Sequence, residues 1–509
     1  MSFLRFGMRR GVLIACWLVI VGLAVWLRCD DFADRPIHFD EATGARITAD
    51  RLEPDAEYSF NPVHNHGPTL SVLGAIASRA AGEATWEAMT VGTLRLIPLL
   101  AGCGLVVLPF LLRDRIGDVP ALIAAAFLAS SPLLVYYSRM YIHEILLALF
   151  GLAAAICLLR RKTLWLAGCF LGLMFATKET FAISVIAWCV AGVGVACHFR
   201  ASWKIESLRE MMGEWWKPVA VMVGCAAMVS IAFYTNGFTH WMGIVDAVKT
   251  YFVYETVGGH DKPFWYYAGM MLVPRKDAVW WGETVVVVFA GWAYFRSFFG
   301  GMSDGRKALI WFLAYSAVAH GLIYSLIAYK TPWLMCLPWA HGCLLAGVAL
   351  VGCERWKTWQ RGVLVLGLIA ALGLQLRQTR YAMGRFETDQ RNRYAYVPTS
   401  RDLEGVPKWM VGLADGHPDS IEPIAVVGTF YWPLPWYLRG FDSVGYWPDA
   451  EVEGLEQNGI VFALPDTVND VSPRLAKSHQ GFPRSLRTNE VVTMYVRNDL
   501  WDRWIEEDE

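Results

Sequence analysis

Apolar runs separated by short polar stretches fill the chain from residue 11 to about 377, and beyond that the texture is that of ordinary soluble protein. The runs fall near 11–28, 91–112, 119–135, 145–160, 163–177, 180–198, 217–235, 279–298, 308–328, 333–352 and 362–377. Several are shorter than the roughly 20 residues that an untilted membrane-crossing helix needs. The pair 163–177 and 180–198 also reads as one re-entrant unit. The pattern predicts a polytopic α-helical membrane domain over 1–377, of about eleven helices, with its first outer loop at 29–90. A small α/β domain is expected over 378–509, with strands near 424–430, 459–464 and 491–496 and helices near 401–413 and 433–439.

The polar connections sort into two kinds. One kind is basic: Arg5, Arg9 and Arg10; Arg113 and Arg115; Arg160, Arg161 and Lys162; Arg200 and Lys204; Arg306 and Lys307; Arg355, Lys357 and Arg361. Positive charge accumulates on the cytoplasmic side, so these connections and the N-terminus are expected there. An odd number of spans then puts the C-terminal domain outside, in a multi-pass protein of the inner (plasma) membrane. Trp26-Leu27-Arg28 is no small-residue cleavage site, so the first run is expected to remain as a span. Within the first outer loop, Ala42, Ala45, Ile47 and Leu52 are spaced as on a helix, and 68–81 reads as a second helix with Pro68 in its first turn. The outer stretch 236–278 carries Phe238, Trp241, Tyr251, Phe252 and Tyr254, residues suited to the membrane interface.

Composition sharpens this picture. The chain is 55% hydrophobic and 18% charged, against roughly a quarter charged in soluble domains. A net charge of −1 without a basic stripe excludes a nucleic-acid partner. Eleven cysteines lie outside the C-terminal domain and form no CxxC pair, so neither a disulfide framework nor a zinc–thiolate site is expected.

Candidate chemistry concentrates in the outer connections. His38-Phe39-Asp40-Glu41 and Asn61-Pro62-Val63-His64-Asn65-His66-Gly67-Pro68 bring carboxylates and imidazoles to the membrane surface. Such groups relay protons or bind a divalent cation, and Asp40, His64 and His66 are the candidate ligands. The bland reading is a solvated acidic loop, since Asp30, Asp31 and Asp34 lie just upstream. A second cluster, Arg139, His143 and Glu144, sits between two runs, where charge usually faces a cavity or a partner; a structural Arg139–Glu144 pair is the plain alternative. Lys178 and Glu179 read as an internal ion pair or a binding element, and Arg95, inside a run, as the neutraliser of another acid. Lys262 and Lys330 each stand beside Pro and Trp and suit an anionic headgroup, or simple snorkelling. Acids near cations fit transfer from a phosphate-linked donor: a carboxylate takes the proton of an incoming hydroxyl while cations stabilise the departing phosphate.

An acidic pair in the first outer loop, many spans and an outer C-terminal domain resemble the GT-C superfamily of glycosyltransferases, which includes protein O-mannosyltransferases and the aminoarabinose transferase of lipid A. His66-Gly67-Pro68, Tyr137-Ser138-Arg139, Thr177-Lys178-Glu179, Lys330-Thr331-Pro332-Trp333 and Trp432-Pro433-Leu434-Pro435-Trp436-Tyr437-Leu438-Arg439 are similar, with the Asp40 motif, to a prokaryotic family labelled flippase-activity-associated. The resemblance implies a polyprenyl-phosphate sugar donor, a lipid, glycan or protein acceptor, and transfer outside the cytoplasm with inversion at the sugar. It maps the catalytic acid onto Asp40, with Glu41 beside it, and the second acid onto Glu144. Phosphate-binding cations map onto Arg139, Lys178, Lys262 or Lys330, and His143 and Glu179 beside them are further substrate-binding candidates. The superfamily's first loop carries an acid where this chain has His64 or His66, so a divalent metal is the one cofactor left open. Two rival readings remain: a lipid-linked-sugar flippase, which would need polar residues mid-span, and a non-catalytic scaffold of an envelope glycan complex.

Overall fold

The computed structural model describes residues 10–53, 60–199, 205–253, 261–281, 283–299, 301–351, 356–414 and 420–508. Arg5, Arg9, Arg200, Lys204, Tyr254, Cys353 and Arg355 of the sequence reading lie outside them. Apolar side chains face outward as well as inward: Leu18, Val19, Val193, Met228, Leu366 and Ile369 are all exposed along helices. A belt of that extent is stable against lipid rather than water.

Among the described residues, seven stretches are long and apolar enough to cross a membrane: Arg10–Cys29 (α1), Val91–Ile116, Phe181–Phe199, Gly213–Tyr234, Asp304–Leu326, Pro332–Leu350 and Thr358–Met383. Asp118–Ser130 and Glu144–Leu158 are shorter apolar helices, as are Leu164–Phe175 and Glu283–Arg296. The run at 119–135 breaks at Ser131 because Pro132 has no N–H to continue the ladder, and the Ser131 hydroxyl caps a new helix from the Leu134 N–H. The re-entrant reading is corrected. Leu164–Phe175 packs on Ile205–Tyr234, whereas Phe181–Phe199 packs on Asp304–Leu326. Gly168 and Gly172 make the first contact close: a Cβ there would stand 2.1 Å from the Met222 carbonyl oxygen and 2.5 Å from that of Ala226.

Basic connections meet at one end of the bundle. Arg160 pairs with Asp114 at 2.6 Å, Arg115 donates to the Leu159 carbonyl at 2.7 Å, and Arg306 donates to the Arg115 carbonyl at 2.7 Å. The opposite end holds the first loop, with helices Phe39–Asp50 (α2) and Thr69–Ala81 (α3).

The C-terminal domain has a five-stranded sheet built from β1 (Ile424–Val427), β2 (Val444–Trp447), β3 (Ile460–Ala463), β4 (His479–Arg487) and β5 (Glu490–Arg497), in the order β2-β1-β3-β5-β4. β1 lies parallel to β2 and β3, with Val426 opposite Tyr446 and Phe462; β5 is antiparallel to β3 and β4. Period-two alternation gives the sheet two buried faces. Val426, Phe462 and Met494 join one core, and Ala425, Val461 and Tyr495 the other. The last membrane helix runs on through Met383. The segment after it folds back onto the bundle: Tyr136 and Tyr137 donate to the carbonyls of Glu387 and Tyr394, both at 2.8 Å, and Thr399 donates to that of Ile37 at 2.7 Å.

Candidate active site opposite the basic connections

The N-terminus of α2 sets the site. His38 is its cap: Nδ1 accepts from the Asp40 backbone N–H at 3.2 Å, and the Glu41 carboxylate accepts from the His38 N–H at 3.0 Å. His38 Nε2 reaches the Tyr396 carbonyl at 2.9 Å, so that nitrogen carries the proton. Burial, outweighing this hydrogen bond, pushes the imidazole down to about 4. His38 is therefore neutral, and its 3.6 Å approach to Asp40 is no ion pair.

Asp40 and Glu41 are neighbours in sequence, yet a helix turns about 100° per residue and the two part company. Glu41 is fully buried and receives both Nε and Nη2 of Arg95 at 2.8 Å, plus the Tyr141 N–H at 2.7 Å. Burial alone would raise its pKa, but the Arg95 charge and hydrogen bonds prevail and hold it down to about 2. The sequence reading of Arg95 as the neutraliser of an acid thus finds its partner, and that partner is Glu41. Asp40 keeps 37% of its side-chain surface open. Partial withdrawal from water, then the like charge of Glu144, push it up to about 6, against the opposing pull of Lys178 and His66.

Two further turns supply those neighbours. Lys178 Nζ donates to Glu144 Oε1 at 2.6 Å, both side chains being buried. Glu144 is thus the acid next to Asp40, paired with Lys178 rather than with Arg139. Glu179 turns away from Lys178 and takes His66 Nδ1 at 3.0 Å. Burial would raise Glu179, but His66 and Lys178 hold it down to about 2. Gly67 permits this meeting, because a Cβ there would lie 2.2 Å from the Ala176 carbonyl oxygen. That same carbonyl accepts from the Thr69 N–H at 3.1 Å and the Thr69 hydroxyl at 2.8 Å, clamping the first loop onto the 176–179 turn. His143 sits edge-on to His66, ring centroids 5.1 Å apart. Burial, then His66 and Lys178, push it well below the ordinary imidazole range.

Other candidates take different places. Lys330 is buried and donates to the carbonyls of Lys262 (2.9 Å) and Ile327. Lys262 Nζ lies 5.7 Å from the centre of the Tyr396 ring and makes no hydrogen bond among the described residues. Arg139 is buried with Arg35, Glu387, Arg95 and Asp30 as its charged neighbours, away from the Asp40 group; burial, then Arg35, lower it to about 10. The set Asp40, His64 and His66 is not assembled as metal ligands. His64 is exposed, His66 is engaged by Glu179, and among the described residues no three His, Cys, Asp or Glu gather closely enough to hold an ion.

Sequence reasoning missed Tyr329 and Tyr396, both within electrostatic reach of Asp40. Tyr396 also packs edge-on against Trp333 at 5.6 Å, which in turn meets His38 at 6.0 Å. Nothing in an aromatic-rich sequence distinguishes these tyrosines from interfacial ones.

No family model matches the chain, and no curated protein matches it in sequence. Solved structures do. ArnT from Cupriavidus metallidurans in the apo state is 15% identical, over 96% of this chain and 98% of that one, at a TM-score of 0.61. The same protein bound to undecaprenyl phosphate is 14% identical, over 95% and 97%, at 0.57. The oligosaccharyltransferase AglB from Archaeoglobus fulgidus, in complex with an inhibitory peptide and a dolichol-phosphate, is 13% identical, over 94% and 73%, at 0.54. The chain has the GT-C fold: a polytopic helical membrane body with a small sheet domain at its C-terminus.

Proposed function

We propose that this protein is a membrane glycosyltransferase that moves a sugar from a polyprenyl-phosphate donor to an acceptor hydroxyl on the extracytoplasmic side. One observation supports the reading: a half-open carboxylate, Asp40, lies within electrostatic reach of the buried Lys178–Glu144 pair at the end of the bundle opposite the basic connections. The fold supports it, since structures of that fold hold undecaprenyl phosphate and dolichol-phosphate. Positive-inside sorting then puts the N-terminus in the cytoplasm and the pocket outside, in the inner (plasma) membrane.

In this mechanism Asp40 is the general base. Its carboxylate accepts the acceptor hydroxyl proton as that oxygen bonds to the anomeric carbon. The bond from the anomeric carbon to the phosphate oxygen breaks, and its electron pair leaves with the polyprenyl phosphate. Attack opposite the leaving group inverts the sugar. Lys178 and Lys262 supply positive charge for the departing phosphate. Glu144 positions Lys178 and raises the basicity of Asp40. Glu41 acts through α2, fixing its N-terminus to Arg95. His143 and Lys330 hold the pocket walls, and Glu179 orients His66. No step is routed through a metal.

The test is transfer by the purified, reconstituted chain from a radiolabelled polyprenyl-phosphate sugar. Transfer by the wild type and its loss in Asp40→Asn are expected. Undiminished transfer in Asp40→Asn removes Asp40 as the base, and translocation of an intact lipid without cleavage makes the protein a flippase.

A further inference from the structure

The Trp432–Arg439 motif takes no part in the rim pocket. It lines a separate groove of about 340 Å³ between the first outer loop and the C-terminal domain. Its aromatic residues are Trp86, Tyr431, Trp432, Phe441 and Tyr446; its charged ones are Arg46, Glu87, Arg439 and Asp442. Tyr431 and Tyr446 pack at 4.9 Å, and Trp86 sits edge-on to Trp436 at 5.4 Å. Arg439 stiffens the floor, its guanidinium 3.9 Å from the centre of the Trp436 ring and hydrogen-bonded to the carbonyls of Trp436 and Met89.

Two features define what fits. Five partly exposed rings offer flat apolar faces, four of them with a polar N–H or hydroxyl at the edge. The Glu87 and Asp442 side chains are exposed and those of Tyr431 and Tyr446 partly so, which places strong acceptors and weak donors within a ligand's reach beside those faces. Both arginines are already engaged, Arg46 by Asp50 and Glu53 and Arg439 by the carbonyls of Trp436 and Met89, so among the described residues of the groove no free cation awaits a phosphate. A ligand with apolar C–H faces and many neutral hydroxyls satisfies both features.

We infer that this groove is a binding site for the saccharide portion of the acceptor, distinct from the catalytic pocket; the word acceptor rests on the transferase reading above. Arg46 lies six residues after Asp40 on α2, which places it about 9 Å along the axis and about 120° around it. The groove therefore opens on another side of α2 and grips a part of the ligand remote from the reacting hydroxyl. Binding energy from such remote contacts is what holds an acceptor in place for reaction.

The experiment is saturation-transfer NMR on the full chain in nanodiscs, with cellopentaose, maltopentaose and a mannan pentasaccharide as probes. At least one probe should receive saturation from the wild type. Asp442→Asn, an exposed substitution that leaves the fold alone, should weaken its binding about tenfold. Trp432→Ala should abolish binding and Trp432→Phe should retain it. Absence of transfer to every probe, or binding unchanged in both Asp442→Asn and Trp432→Ala, overturns the site. The same wild-type preparation is assayed for release of polyprenyl phosphate from a polyprenyl-phosphate sugar. Saccharide binding without release sinks the transferase reading and leaves a saccharide site; release without saccharide binding does the reverse.

Discussion

The pocket around Asp40 and the socket around Glu41 begin at adjacent residues and are built on opposite rules. In the socket, a bidentate arginine and two backbone N–H groups satisfy the carboxylate, and no solvent reaches it. In the pocket, a carboxylate is left half-open beside another acid, Glu144, which Lys178 pairs. The first arrangement spends its charge on structure. The second stores basicity at about 6, close to where a general base works best at neutral pH. One dipeptide thus supplies both the anchor and the proposed base, because the helix sends its two side chains in different directions.

The sharpest way to break this comparison is to exchange the acids' amide forms. Asp40→Asn should lower transfer by roughly 10²–10⁴-fold while thermal unfolding in detergent stays put. Glu41→Gln should do the opposite first: an Arg95 left without its charge partner costs about 3–5 kcal/mol, visible as a lower melting temperature and poor yield of folded protein. If Glu41→Gln keeps its stability and loses only turnover, the socket is part of the chemistry. The pH profile comes next. A base raised to about 6 is ionised above that pH, so turnover should fall about tenfold per unit on the acid side; Glu144→Gln should move the midpoint downward, since one raising charge is gone. A profile flat to pH 4.5 would contradict the pocket's electrostatics. The smallest effect is expected at Lys262, where removing one charged contact to the donor phosphate, Lys262→Gln, should raise the donor KM by about tenfold and leave the pH midpoint in place.

How much of this was legible in the chain follows from how far apart the partners lie. Membrane character and the mixed C-terminal domain follow from local pattern. So did the clusters themselves, since His38, Asp40, His66, Glu144 and Lys178 all stand in or at the ends of polar connections between apolar runs. Pairing was not legible. Lys178 beside Glu179 invites an ion pair, but the turn that carries them points one at Glu144 and the other at His66. Arg139 and Glu144, five positions apart, flank a break between helices and diverge. β2 and β4 escaped notice because Gly445 and Pro483 interrupt the alternation that marks a strand. Asp118–Ser130 falls short of a full span because Pro132 ends its ladder, a break that the uninterrupted apolar run 119–135 conceals.

The stretch that folds back after the last membrane helix bears on how the molecule can be dissected. A truncation at 377 looks harmless on paper, yet it would cut the helix before its end and take away Glu387, Tyr394, Tyr396 and Thr399. His38, Tyr136 and Tyr137 would then hold buried donors with no acceptor, at about 1–3 kcal/mol apiece. The C-terminal domain is thus no detachable appendage: its tether is stitched into the helical body, and a core cut free of it would keep the stitches' loose ends.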